Sequence, residues 1–83
     1  MRLYTYVIAR HGCNILNQER QERVVLGTVK TTTRRGARIR AEIAWGSYLG
    51  QWWEAIPASR ACAADLREAR QQDAMRALEQ SHY

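Results

Sequence analysis

The sequence predicts a small α+β domain, an antiparallel sheet with one or two helices in the order ββαβα. Three observations carry this. The stretch LYTYVIA near the start alternates two faces in residue types that favour strands. RVVLGTVK is a second short, β-branched run. Two alanine-rich segments follow hydroxyl residues able to cap helices, one behind Thr33 and one behind Ser59.

In the first element Leu3, Thr5, Val7 and Ala9 face one way, and Tyr4, Tyr6 and Ile8 the other. RHGCNILNQERQE then reads as a polar connection carrying Gly12 and two asparagines. In the second strand, Gly27 marks a bulge or a place where another element approaches closely. The two strands are expected to pair antiparallel, although the connection is long for a hairpin.

TTTRRGARIRAEIAWGSYLG supports two readings. As a helix, it is capped by Thr33 and places Ala37, Ala41, Ala44 and Tyr48 on one face. As a strand, Ala37, Ile39, Ala41, Ile43 and Trp45 alternate against Arg38, Arg40 and Glu42, and the order becomes ββββα. The helix leaves Ile39 and Ile43 off the alanine stripe. Its composition and the TTT-arginine start nevertheless suit a helix lying close on a sheet, so the helix is preferred and the strand stays open.

Gly46 to Gly50 is expected to turn the chain into QWWEAIP, a strand closed by Pro57. Ser59 is placed to cap a last helix, ACAADLREARQQDAMRALEQ, with Arg76 spaced to pair with Asp73 and Glu79. The apolar side of that helix is thin. Cys62, Leu66 and Ala69 share a face, after which Ala74, Met75 and Leu78 wrap away. The first half is expected to dock on the sheet, and the second to be exposed or to meet another chain, as monomer or homodimer. No repeat, linker or second domain interrupts residues 1–83, which read as a single domain.

A chain of 83 residues buries roughly 60 to 65% of the surface its unfolded form exposes, enough for one core and little for a deep cleft. No apolar run nears the roughly 20 residues a membrane span needs. The start lacks the long apolar region and cleavage site of a secretory signal. Two cysteines, Cys13 and Cys62, are too few for a disulfide framework and read as reduced thiols in a cytoplasmic protein. The formal net charge of +5 is concentrated. Arg23 to Arg40 holds six basic residues and no acidic one, whereas the chain from Arg60 onward balances four arginines against four carboxylates. Such a patch steers a protein toward a polyanion.

Nothing here is a catalytic or cofactor fingerprint. His11 and Cys13 stand two apart in the expected loop, a weak Cys-His signal without a family signature. Zinc bound by His11, Cys13, Cys62 and His82 would lack any paired ligand spacing. Glu19, Glu22, Glu42 and Glu54 form no readable acid/base pair, and no glycine-rich phosphate loop occurs. The expectation is a non-enzyme with no metal and no cofactor.

The basic middle is the strongest functional signal. Arg34, Arg35, Arg38 and Arg40, with Lys30, supply forks suited to phosphate or carboxylate. On a helix, Arg34, Arg35 and Arg38 fall in one sector beside Trp45, a possible phosphate-and-stacking surface. Among the aromatics, Tyr4 and Tyr6 share a strand face, and the adjacent Trp52 and Trp53 must point to opposite faces. Either helices cover both rings, or one ring, alone or with the tyrosines, anchors an interface.

Its length, its mix of short strands and helices, its basic middle and the lack of a catalytic motif resemble the small proteins of bacteriophages and mobile elements. Among these the chain resembles the anti-CRISPR class, single-domain inhibitors that bind a bacterial CRISPR effector and block its action on target DNA. The class shares no common motif, so the likeness spans the whole chain without assigning roles to residues. Many of its members are acidic DNA mimics. The +5 charge here departs from that pattern. What the resemblance then implies is contact with an acidic protein surface or a guide-RNA backbone, or competition at a nucleic-acid channel, in the host cytoplasm. The expected partner is a bacterial protein or ribonucleoprotein complex. A small basic nucleic-acid-binding module is the alternative.

Overall fold

In the computed structural model the chain forms β1 (Tyr4–Asn14), β2 (Asn17–Thr31), α1 (Arg34–Trp45), β3 (Gln51–Pro57) and α2 (Ala63–Gln80). The structure describes residues 2–14, 17–46 and 50–80, with side chains among these outside 13–22. The order is ββαβα, an α+β fold, and the middle segment is a helix. The three strands lie in the order β2-β1-β3, each pair antiparallel.

The alternation in β1 builds two cores. Tyr6 and Ile8 pack with Trp53 and Ala55 of β3 and with Ala37 and Ala41 of α1. Val7, on the opposite face, packs with Val25 of β2 and Ala69 of α2. The helices therefore sandwich the sheet, which is why Val7, Ile8 and Ala9 at its centre are sealed from solvent. Burying each of the two larger side chains is worth about 1.5–3 kcal/mol. Alanine at 37 and 41 lets the α1 backbone lie close to the strands, so a larger residue there would overpack.

Local chemistry fixes the ends of α1. The Thr33 hydroxyl accepts from the Gly36 N–H at 3.0 Å, satisfying one of the orphan donors of the first turn. At the other end Gly46 adopts φ 82° and donates its N–H to the Glu42 carbonyl, a termination that favours glycine. Ile39 and Ile43, off the alanine stripe, stand 49% and 80% exposed. The helix forms despite leaving them in solvent because the alanine face and both caps agree.

Several expectations change. The polar stretch after Ala9 is not a loop. β1 continues to Asn14 and β2 begins at Asn17, so the two strands form one long hairpin held by main-chain pairing. Gly27 serves both roles foreseen for it. A register shift leaves Leu26 as the extra residue opposite Ile8 and Ala9, and a Cβ at Gly27 would stand 2.5 Å from an Asp73 carboxylate oxygen. Ser59 does not cap the last helix. Residues 58–60 form a turn in which the Pro57 carbonyl accepts from the Arg60 and Ala61 N–H groups, and Cys62 precedes α2, its sulfur taking the Asp65 N–H at 3.4 Å. Tyr48 and most of the expected 46–50 turn lie outside the described residues.

α2 docks through Leu66 and Ala69, while Met75 and Leu78 are exposed. It lies along β2 and the adjoining part of β1 without reaching β3. Its Asp73 accepts from the Thr28 N–H at 3.0 Å and from the Thr28 hydroxyl, closing one outward-facing backbone donor on the free side of β2. Arg76 pairs with Asp73 at 3.4 Å and lies 4.8 Å from the centre of the Trp45 ring, joining the two helices around that edge.

Candidate interaction surface

The basic residues singled out in the sequence are all on the surface, but α1 divides them. Arg34, Arg35, Arg38, Arg40 and Lys30 are exposed. Arg34 and Arg38 project over β3, where with Arg60 they border a groove of about 330 Å³ running along Trp52 to Pro57. Arg40 and Lys30 lie across the helix, beside an apolar trough lined by Val29, Ile39 and Ile43. The 100° turn per residue separates Arg40 from Arg34 and Arg38, with Arg35 between them on the solvent side, while Lys30 borders the trough from β2. None of these five cations forms an ion pair among the described residues.

Trp45 does not join the arginine sector. Eleven residues of helical rise put it about 16 Å from Arg34 along the axis, packed against the core with the Arg76 guanidinium over its ring. The stacking surface expected from Arg34, Arg35, Arg38 and Trp45 is therefore not assembled.

The other aromatics separate by face. Trp53 is 5% exposed and Tyr6 is 7%, both in the core under α1. Trp52, one residue away, is 53% exposed, because α2 does not extend over β3 on the opposite face. Tyr4 is half exposed at the start of β1, bordering a shallow depression with Pro57, Ser59 and Arg60. Of the proposed anchors, Trp52 and Tyr4 are available and Trp53 and Tyr6 are architecture.

On its open face Trp52 belongs to a polar row that no reading of the sequence assembled. Arg23, His11 and Trp52 sit opposite one another on β2, β1 and β3. The His11 and Trp52 rings stack in parallel, centroids 4.1 Å apart and 6° from coplanar. His11 Nε2 lies 3.0 Å from Glu54 Oε1, and Arg23 Nε lies 3.9 Å from the same oxygen. Arg23 also grips Asp65 of α2 with two parallel N–H···O bonds of 3.0 and 2.7 Å. Hydrogen bonding to Arg23 holds the Asp65 carboxyl below its ordinary value, and Asp65 in turn raises Arg23. The row fixes the Trp52 ring in one orientation, so little side-chain entropy would be lost on binding. Continuing the Thr5, Val7, Ala9 alternation one step to His11 is the available signal, masked by the loop-like composition that Gly12 and the asparagines give the stretch.

His11 is a strand residue engaged by Trp52 and Glu54. Cys62 is a free, exposed thiol at the start of α2. The side chain of Cys13 and all of His82 lie outside the described residues, so the Cys-His and zinc constellations that invoke them are not assembled from what is described. Among the described residues no group of three or more His, Cys, Asp or Glu is placed to hold a metal ion, and no helix is long and apolar enough to cross a membrane. In comparisons with known proteins, no family model, no curated protein and no solved structure matches the chain.

Proposed function

We propose that the protein is a non-enzymatic binder that docks its arginine-bearing α1 face and the oriented Trp52 ring onto an anionic surface of a larger assembly. The observation that carries this is the set of exposed cations, Arg34, Arg35, Arg38 and Arg40, all without a carboxylate partner among the described residues, of which Arg34 and Arg38 border the same β3 groove as the Trp52 ring exposed on the other face of the sheet. Unpaired surface arginines are free to meet carboxylate or phosphate, and a rigid aromatic beside them supplies apolar contact area. In its most concrete form, supported by the likeness in size and architecture to anti-CRISPR proteins, the partner is a bacterial CRISPR effector complex in the host cytoplasm. The protein then acts by obstructing that complex's access to DNA.

Direct binding to nucleic acid is the second reading. The Trp52 ring, already held flat by His11 and bordering the groove of Arg34 and Arg38, favours it as a base-stacking platform beside phosphate-binding cations. A pull-down from bacterial lysate with and without nuclease separates the two. Capture of a protein complex that survives nuclease and weakens between about 50 and 200 mM salt supports the inhibitor reading. Capture lost on nuclease treatment, with a shift of generic single-stranded oligonucleotides in a gel, supports the second. Binding that is indifferent to salt overturns both.

A further inference from the structure

The two edges of the sheet are treated differently. On β2 the Thr28 N–H is taken by Asp73 of α2. On β3 nothing covers the outer side among the described residues. The Ala58 N–H donates to the Thr5 carbonyl at 2.9 Å, which makes these two a hydrogen-bonded pair across β1 and β3. By the two-residue period, the backbone groups of Ile56, Glu54 and Trp52 turn inward to β1, and those of Trp53 and Ala55 turn outward. Pro57 has no N–H, and its carbonyl is occupied by the following turn. Trp53 and Ala55 thus offer two free donors and two free acceptors in a row, on a strand carrying neither lysine nor bulge to discourage pairing.

The surroundings state what would pair there. A strand added to β3 would send alternate side chains toward α1, where Arg34 and Arg38 overhang the edge and Arg60 stands at its end. Among the described residues, the one carboxylate lining that groove, Glu54, is already engaged by His11 and Arg23. The intervening side chains would lie on the opposite face, against the exposed Trp52 ring and the half-buried Ile56. We infer that β3 accepts an extended segment of the partner protein as a fourth strand, with acidic residues toward Arg34 and Arg38 and apolar residues toward Trp52. This rests on the binder reading above and supplies its docking mode.

The probe is a synthetic peptide of alternating Glu and Val, titrated into isotope-labelled full-length protein. Saturable binding that slows hydrogen exchange at the Trp53 and Ala55 amides, while leaving Trp52 and Glu54 unchanged, is the expected result. The double variant Arg34→Ser/Arg38→Ser, altered only at exposed positions, should then bind roughly tenfold more weakly at low salt. No saturation by ~1 mM peptide would overturn the inference. So would equal binding of a Glu/Val peptide with the alternation scrambled, or tighter binding of a dT12 oligonucleotide. Binding without slowed exchange at Trp53 and Ala55 would also sink the added strand. In that case loss of affinity in the double arginine variant would leave the basic-face reading standing, so the two failures are distinguishable.

Discussion

Asp73 is the polar residue whose removal should cost the fold most. It sits on α2 yet serves β2, taking the Thr28 N–H and hydroxyl together while its own charge is met by Arg76. Hydrogen bonds to charged groups contribute about 1.5–3 kcal/mol each when water cannot replace them. The Asp73 side chain is 30% exposed, so in Asp73→Ala water re-satisfies part of what Thr28 loses. The expected destabilisation is then about 2 kcal/mol for the pair of bonds. In a domain of this size that lowers Tm by roughly 8–16 °C. Asp73→Asn keeps one acceptor for the Thr28 N–H and lets the Thr28 hydroxyl reverse its role, so it should cost about half as much. Gly27→Ala supplies a cross-check, because the added methyl would meet the Asp73 carboxylate at 2.5 Å on a backbone of φ 149°. It should destabilise alone and less so on top of Asp73→Ala, a coupling that a double-mutant cycle measures. Urea and thermal unfolding followed by circular dichroism give all four values. A change below about 0.5 kcal/mol for Asp73→Ala, within the range of ordinary surface substitutions, would refute the assignment of Asp73 as the lock between α2 and β2.

The two tryptophans should separate cleanly. Trp53→Ala, emptying the core under α1, should cost about 3–5 kcal/mol and unfold much of the protein at room temperature. Trp52→Ala should cost under about 1 kcal/mol while weakening partner binding, and similar stability losses in both would contradict the burial difference. The depressed Asp65 carboxyl implies an acid dependence of known sign. Its contribution is present above the ordinary carboxylate value near 4 and is lost as pH falls through the lower folded-state value, because the unfolded chain takes up that proton first. Arg23→Met should therefore flatten the fall in unfolding free energy between about pH 5 and 3, and parallel curves for the two proteins would exclude the pairing. Ala41→Leu, forcing a larger side chain between α1 and the sheet, should destabilise by about 1–3 kcal/mol, measured by the same denaturant curves.

Where a side chain decides its own environment, the fold was legible. The alternation through Val7 and Ile8 marked a strand with apolar side chains on both faces, though whether helices covered both stayed open, and Thr33 with Gly46 bounded α1. The hairpin arm was not legible, because pairing from His11 to Asn14 depends on main-chain hydrogen bonds with β2. Gly12 and the asparagines carry turn chemistry that is overridden only by that partner. Ser59 failed as a cap for a related reason. The Pro57 carbonyl recruits the next N–H groups and delays the helix by one turn, to a sulfur that propensity scales do not rank as a cap. The exposed arginines were visible as a charge run, but their division by the helix axis is a matter of rotation, which a count of charges does not contain. His11, Glu54 and Arg23 come from three strands, and only the β2-β1-β3 order brings them together.

The unequal edges of the sheet also bear on what the molecule does with copies of itself. A bare strand edge is an invitation to the nearest identical edge, and many small sheet proteins dimerise or polymerise that way. Here, two copies meeting along β3 would bring Arg34, Arg38 and Arg60 of each to one seam, where Glu54, the carboxylate lining the groove among the described residues, is already engaged by His11 and Arg23. At physiological salt the screening length is about 8 Å, too long to hide charges that close. The cations that would welcome an acidic strand thus hold identical neighbours apart. The chain is therefore expected to stay dispersed at high concentration, its β3 edge left for a sequence of opposite charge.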